Sequence, residues 1–316
     1  MAASVSPTTF RRLSVAVAIA LGAIVVTGAA VRLTSSGLGC PTWPRCTNTS
    51  LVAPASYHAL VEFVNRVVTT VVGIFVVAVA VCALLRSPRR RDLTLLAWSL
   101  VVGFVGQAVV GGLSVLYHLS PPWVMAHFLL SMAMLWAALV LVHRADPRWQ
   151  PVAPQVRREL LMLTRLLVIV AAVVLFLGTV TTGTGPHAGS GEHIRRLHFP
   201  LERVTQLHAD SALLLTGLVV ATLFAVRLTS TTGLVRRRAA LLAGTVVAQV
   251  AIGYTQYFLN LPPGVVLLHV AGATLLWAAA IWLQLGYTAP VDVTENRESL
   301  TPAGSERLPQ TTASGS

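Results

Sequence analysis

Eight apolar stretches, most of them about twenty residues long or a little more, run along this chain. They lie at residues 13–33, 59–85, 93–116, 123–142, 162–182, 206–226, 239–258 and 264–286. Twenty residues rising 1.5 Å each span a hydrocarbon layer about 30 Å thick. Because the runs are continuous, with no inward-facing polar alternation, they predict helices and not barrel strands. Only 11% of the 316 residues are charged and 55% are hydrophobic, too polar-poor a mixture to solvate a soluble surface. The expected fold is an all-α polytopic membrane protein with eight transmembrane helices. Gly28, Ala29 and Ala30 follow the first run as small residues follow a signal peptide, but its length favours a retained helix.

All 23 basic residues are arginine, and the formal net charge is +12. In a soluble protein such a charge would suggest nucleic acid. Here most of the arginines sit in short loops between apolar runs, which is membrane-surface chemistry and argues for lipid contact and against nucleic acid. Arg11 and Arg12, the 86–92 loop, the 143–158 loop, Arg227 and Arg236 to Arg238 fall on one side, which the positive-inside rule makes cytoplasmic. Both termini are then inside. This predicts a cytoplasmic N-terminus over 1–12, a four-helix half over 13–143, a cytoplasmic linker over 144–161, a second four-helix half over 162–286, and a cytoplasmic tail over 287–316 too polar to fold.

The two halves carry an internal repeat. Residues 106–136 read GQAVVGGLSVLYHLSPPWVMAHFLLSMAMLW and residues 248–277 read AQVAIGYTQYFLNLPPGVVLLHVAGATLLW. Gln, Gly, Pro-Pro, His and Leu-Trp recur in order, with the register slipping by one residue around the histidine. An even number of helices per half makes the repeats parallel, related by an axis along the membrane normal, as two pseudo-symmetric four-helix bundles.

The repeat duplicates a histidine, His127 in the fourth helix and His269 in the eighth, each just after the Pro-Pro turn. Two helices earlier, His208 and Asn65 occupy corresponding places. His208 and His269 can therefore face one another across the second bundle, where neutral imidazoles suit the axial positions of a haem iron. The plain alternative is that each histidine hydrogen-bonds a neighbouring helix. Arg203, with Arg195 and Arg196 upstream, is placed to pair with haem propionates, or to be solvated as an ordinary loop charge.

Glu62 lies about one turn inside an apolar helix, with Arg66 four residues on. It is either half of an ion pair at a helix end or a proton acceptor beside a reacting group. Cys40 and Cys46 share the first external loop, where their five-residue spacing with two prolines suits a disulfide, the alternative being two thiols that are free or bind metal. Cys82, inside the second helix, reads as packing.

The segment TGAAVRLTSSGLGCPTWPRC at 27–46, the Glu62-x-x-Asn65-Arg66 stretch and the histidines of helices 4, 6 and 8 together resemble the haem A synthase family over residues 12–286. That resemblance implies eight helices in two pseudo-symmetric halves. It also implies oxidation of the C8 methyl of haem O to a formyl group, giving haem A for terminal oxidases. It assigns His208 and His269 to a haem b cofactor, His127 to the substrate haem, Glu62 to catalysis, and Cys40 with Cys46 to an external disulfide. Arg66 and Arg203 become propionate contacts. The implied partners are haem O synthase and terminal oxidase assembly factors, and the implied location is a bacterial plasma membrane.

One position departs from the family pattern. Asn65 stands where a second substrate-side histidine is expected, and an amide oxygen is a weak iron ligand beside imidazole. His58, four residues before Glu62, is the other candidate ligand. Two other functions use similar residues: a dihaem electron-transfer cytochrome, which calls for symmetric bis-histidine sites, and a haem transporter or chaperone, which binds haem reversibly.

Overall fold

The computed structural model describes residues 4–151, 154, 156–191 and 195–288. Most of the expected tail over 287–316 lies outside them. Eight helices are present: α1 (Pro7–Leu33), α2 (Tyr57–Leu85), α3 (Arg91–Leu116), α4 (Pro121–Arg144), α5 (Arg158–Thr184), α6 (Leu201–Leu228), α7 (Gly233–Phe258) and α8 (Pro263–Gly286). All eight are long and apolar enough to cross a membrane, so the chain is a multi-pass membrane protein.

Several helices begin earlier than their apolar runs. α1 starts at Pro7, where Ser6 caps the Thr9 amide at 3.2 Å and proline fills the first helical position. α7 starts at Gly233, capped by Thr232, and carries Arg236, Arg237 and Arg238 within the helix. Hydropathy marks where the lipid-facing surface ends. The backbone hydrogen bonds continue past that point, because long arginine side chains can reach water from a helical turn.

α1 to α4 close a ring of neighbours in which α1 packs on α2, α2 on α3, α3 on α4 and α4 on α1. α5 to α8 close a second ring in the same order. The rings meet through α1 with α8, α4 with α8, and α4 with α5. Each has its own apolar core, built around Phe10, Val76, Leu100 and Leu141 in the first and around Leu167, Leu242, Ile281 and Leu283 in the second. Between them, the Trp277 indole N–H donates to the Met132 carbonyl at 3.0 Å, and Arg32 donates to the Thr182 carbonyl at 2.8 Å.

At the loop end of both rings, the turn before each Pro-Pro holds two consecutive residues at positive φ. These are His118 and Leu119 before α4, and Asn260 and Leu261 before α8. The Leu119 amide bonds the Ser114 carbonyl at 2.7 Å, and the Leu261 amide bonds the Gln256 carbonyl at 2.7 Å. The α5–α6 loop ties this end together. Gly37 donates to the Gly189 carbonyl at 2.9 Å, Leu197 donates to the Gly183 carbonyl at 2.9 Å, and His187 Nε2 bonds the Leu261 carbonyl at 2.9 Å.

Candidate functional site

In the second ring, His208 on α6 and His269 on α8 lie across from one another. Their ring centres are 6.4 Å apart and their planes cross at 80°. Two imidazoles that each bind one metal through a nitrogen about 2 Å away have ring centres roughly 6 Å apart. His208 Nδ1 donates to the Val174 carbonyl of α5 at 3.1 Å, so Nε2 carries the lone pair. His269 Nδ1 is buried with no hydrogen-bond partner among the described residues. A crossed pair with one tautomer set by a backbone carbonyl and one imidazole nitrogen unsatisfied fits two axial ligands of a haem iron.

Space for these rings comes from glycine. A Cβ on Gly178 of α5 would lie 3.1 Å from His208 Cε1, and one on Gly253 of α7 would lie 3.5 Å from His269 Cε1. In the first ring, a Cβ on Gly111 of α3 would lie 3.0 Å from His127 Cε1. Each of the three histidines thus packs on a glycine of the preceding helix. Gly111 and Gly253 both stand four residues after a glutamine in the repeat, which is the only sequence signal for this arrangement.

His127 Nδ1 is also buried without a partner among the described residues. Its backbone is held by Gln107 of α3, whose amide donates to the His127 carbonyl at 3.0 Å and to Ser131 Oγ at 2.7 Å. On α2, Asn65 Oδ1 accepts from Thr27 Oγ1 of α1 at 2.8 Å. The position that corresponds to His208 is therefore filled in the first ring by an amide engaged with α1. His58 is directed elsewhere: its Nδ1 lies 3.0 Å from Ser36 Oγ in the α1–α2 loop.

Glu62 is buried and fully engaged. Oε2 accepts the Cys40 amide at 2.7 Å, while Oε1 accepts from Arg66 Nη2 at 2.6 Å and Nε at 3.2 Å. The rest of the Arg66 guanidinium donates to the carbonyls of Cys40, Thr42 and Arg45 at 3.0–3.2 Å. Cys40 and Cys46 form a disulfide that closes this loop. The Glu62–Arg66 pair thus grips the disulfide loop from below, and the guanidinium expected at a propionate is committed to loop carbonyls. Trp43, within the loop, lies over Gly112 of α3, where an added Cβ would come within 2.7 Å of the indole. Arg203 is exposed in the first turn of α6 and forms no ion pair among the described residues. Cys82 is partly buried, against the first core.

The model of the cytochrome oxidase assembly protein family COX15-CtaA matches residues 11–281. A protein named Heme A synthase from Symbiobacterium thermophilum is 32% identical over 277 residues, covering 82% of this chain and 89% of its own length. Heme A synthases of Listeria monocytogenes and an Exiguobacterium species are 31% and 27% identical over 170 and 169 residues. These matches span 52% and 51% of this chain and 53% and 56% of the relatives. The family match reaches all eight helices and every histidine and carboxylate described above, and the chain belongs to the COX15-CtaA family of cytochrome oxidase assembly proteins.

Proposed function

We propose that this chain is a haem A synthase, an oxidoreductase that converts the C8 methyl of haem O to a formyl group. The observation that carries the proposal is the contrast between the rings. One presents two crossed histidines 6.4 Å apart. The other presents a single histidine, His127, and carries at the position corresponding to His208 an amide bonded to Thr27, with the Glu62 carboxylate one turn before it on α2. A symmetric dihaem carrier has no use for that difference.

In this reading the 162–286 half holds haem b through His208 and His269, and the 13–143 half receives haem O with His127 as its strong axial ligand. Haem b, when bound, supplies a one-electron redox centre. The chain itself orients, shields and moves protons. Gln107 fixes the backbone of His127, and Gly111 leaves room for its ring. Taking a methyl to a formyl group with oxygen from water removes four electrons and four protons, the electrons passing to an external oxidant, and Glu62 is the group we assign to accept a proton released from the reacting carbon. Arg66 offsets its charge at Oε1, and the Cys40 amide holds Oε2. Asn65, bonded to Thr27, would be a weak iron ligand beside imidazole, and His58, turned toward Ser36, does not stand in for the missing histidine. Arg203 is the propionate contact we assign to haem b.

In this reading the two rings are parallel repeats, related by an axis along the membrane normal. The arginine-rich end faces the cytoplasm of a bacterial plasma membrane. Haem O synthase and terminal oxidase assembly factors are the partners on either side of the reaction.

The test is to express the protein with a source of haem O and separate the extracted haems by chromatography. Haem A or its hydroxymethyl precursor is expected from the native chain. Glu62→Gln should abolish both while haem b remains bound. Asn65→His should convert the substrate-haem spectrum to a bis-imidazole type, while His58→Ala leaves that spectrum unchanged. Two bound haems with no oxidised product from the native chain would favour a carrier.

A further inference from the structure

The loop end holds a cavity of about 700 Å³ that bridges the two rings. Ser120, Pro121 and Pro122 line it from the start of α4, and Arg195, Arg196, Leu197 and His198 line it from the α5–α6 loop. We propose that Arg195 and Arg196, although carried by the second half, bind the carboxylates of the porphyrin seated on His127 in the first half. This rests on the reading of His127 as the ligand of the substrate haem.

The loop is held over α4 by packing. The Leu197 amide bonds the Gly183 carbonyl, and a Cβ on Gly183 would come within 3.2 Å of both Leu197 Cδ1 and Pro121 Cβ. A side chain there would push Leu197 or Pro121 back by a few tenths of an ångström, so the glycine lets the end of α5, the loop and the start of α4 meet this closely. Leu197 is thereby fixed above Pro121, and the residues on either side of it border the cavity.

Register and charge point to the ligand. Ser120, the N-cap of α4, precedes His127 by seven residues, which puts the cavity end of α4 about 10 Å along the axis from the histidine. That is the order of the distance from a porphyrin's iron to its carboxylates. Arg195 and Arg196 are exposed, and among the described residues no carboxylate pairs with either one. Arg196 makes only a long 3.4 Å contact with the Pro186 carbonyl. Glu202, in the exposed first turn of α6, pairs with neither among the described residues. Paired guanidinium forks are suited to a dicarboxylate edge. They stand beside the start of α4 at the loop end of the first ring, on a loop carried by the second half.

The experiment uses the purified full-length protein with its resident haem b, in nanodiscs of neutral phosphatidylcholine. It is titrated with ferric protohaem or with the dimethyl ester of that haem, and binding of a second haem is followed by Soret absorbance. The native protein should prefer the free acid. The double variant Arg195→Gln/Arg196→Gln should weaken free-acid binding about tenfold, the effect of losing one charged hydrogen bond. It should leave ester binding and the haem b spectrum as they were.

Equal loss for acid and ester, or no loss for either, overturns the proposal. So does loss of the haem b spectrum, which would place the arginines at the other site. Repeating the titration with anionic phosphatidylglycerol separates the two possible anions. If the preference for the free acid is unaffected, the carboxylate assignment stands. If anionic lipid abolishes second-haem binding in the native protein but not in the variant, the cavity belongs to headgroups. His127→Ala is the control for the underlying reading: second-haem binding that survives it overturns that reading, whereas binding lost in it but untouched in the arginine variant overturns this inference alone.

Discussion

The Cβ that Gly178 lacks would press on the His208 ring at 3.1 Å, whereas the one that Gly253 lacks would touch His269 at an ordinary 3.5 Å. A side chain can yield by a few tenths of an ångström only if its ring is free to tilt, and His208 is held by its bond to the Val174 carbonyl. Gly178→Ala should therefore shift the optical and electron paramagnetic resonance signals of the second-ring haem and lower its retention on purification. Gly253→Ala should leave both nearly native. Equal effects at the two sites would remove the claim that the carbonyl bond makes one ring rigid. At this scale the sequence is informative about the histidines, because the repeat shows them twice. The glycine slots and the Glu62–Arg66 grip on the Cys40 loop depend on contacts between residues 16 to 30 positions apart, on different elements, and no helical periodicity encodes those.

Helices were legible because lipid imposes one rule along the whole chain: every backbone group must be bonded within its own segment, and the surface must be apolar. Their ends were less so. Arg236 to Arg238 lie inside α7, and Asp146 lies just past α4 in a linker that composition marks only as polar. Asp146 accepts the Arg148 amide at 3.0 Å and faces Arg11 of α1 at 3.5 Å. Burial alone would raise its carboxyl, but the bonds from Arg148 and the charges of Arg11 and Arg148 outweigh it and hold the group below the ordinary carboxylate range. A carboxyl depressed in the folded state contributes stability above its unfolded pKa of about 4, and that contribution disappears as pH falls through the folded value. The thermal midpoint of the native protein should thus exceed that of Asp146→Asn at neutral pH, and the two should converge below about pH 4. The difference should be small, since Arg11 is 44% exposed and surface pairs contribute at most about 1 kcal/mol. A constant offset across that range would assign the effect to packing. The two turns before α4 and α8 were legible as turns from Pro-Pro, but not in conformation. Leu119 and Leu261 at positive φ go against residue preference, and tertiary contacts hold them there: the bonds back to Ser114 and Gln256, and His187 on the Leu261 carbonyl.

Across the whole molecule, the rings are joined by few directed bonds. Trp277→Phe should remove the indole donor to Met132 and some buried volume. That change should cost about 1–2 kcal/mol, read as a lower thermal midpoint in detergent with the haem b spectrum retained. An unchanged midpoint would mean that α4 and α8 are held together by packing alone. The number of helices, their lengths and the duplication of histidine, glutamine and Pro-Pro follow from the amino-acid order by itself, because hydrocarbon thickness and helical rise act locally on every segment. Which imidazole opposes which side chain was decided only in three dimensions. His208 meets His269 because α6 and α8 stand across a closed ring, and Asn65 turns to Thr27 because α1 packs beside α2. The α5–α6 loop reaches the start of α4 because Gly183 lets Leu197 and Pro121 close on one another. Such pairings depend on how finished helices pack, where shape and the space left by absent side chains matter more than the hydropathy that specified the helices.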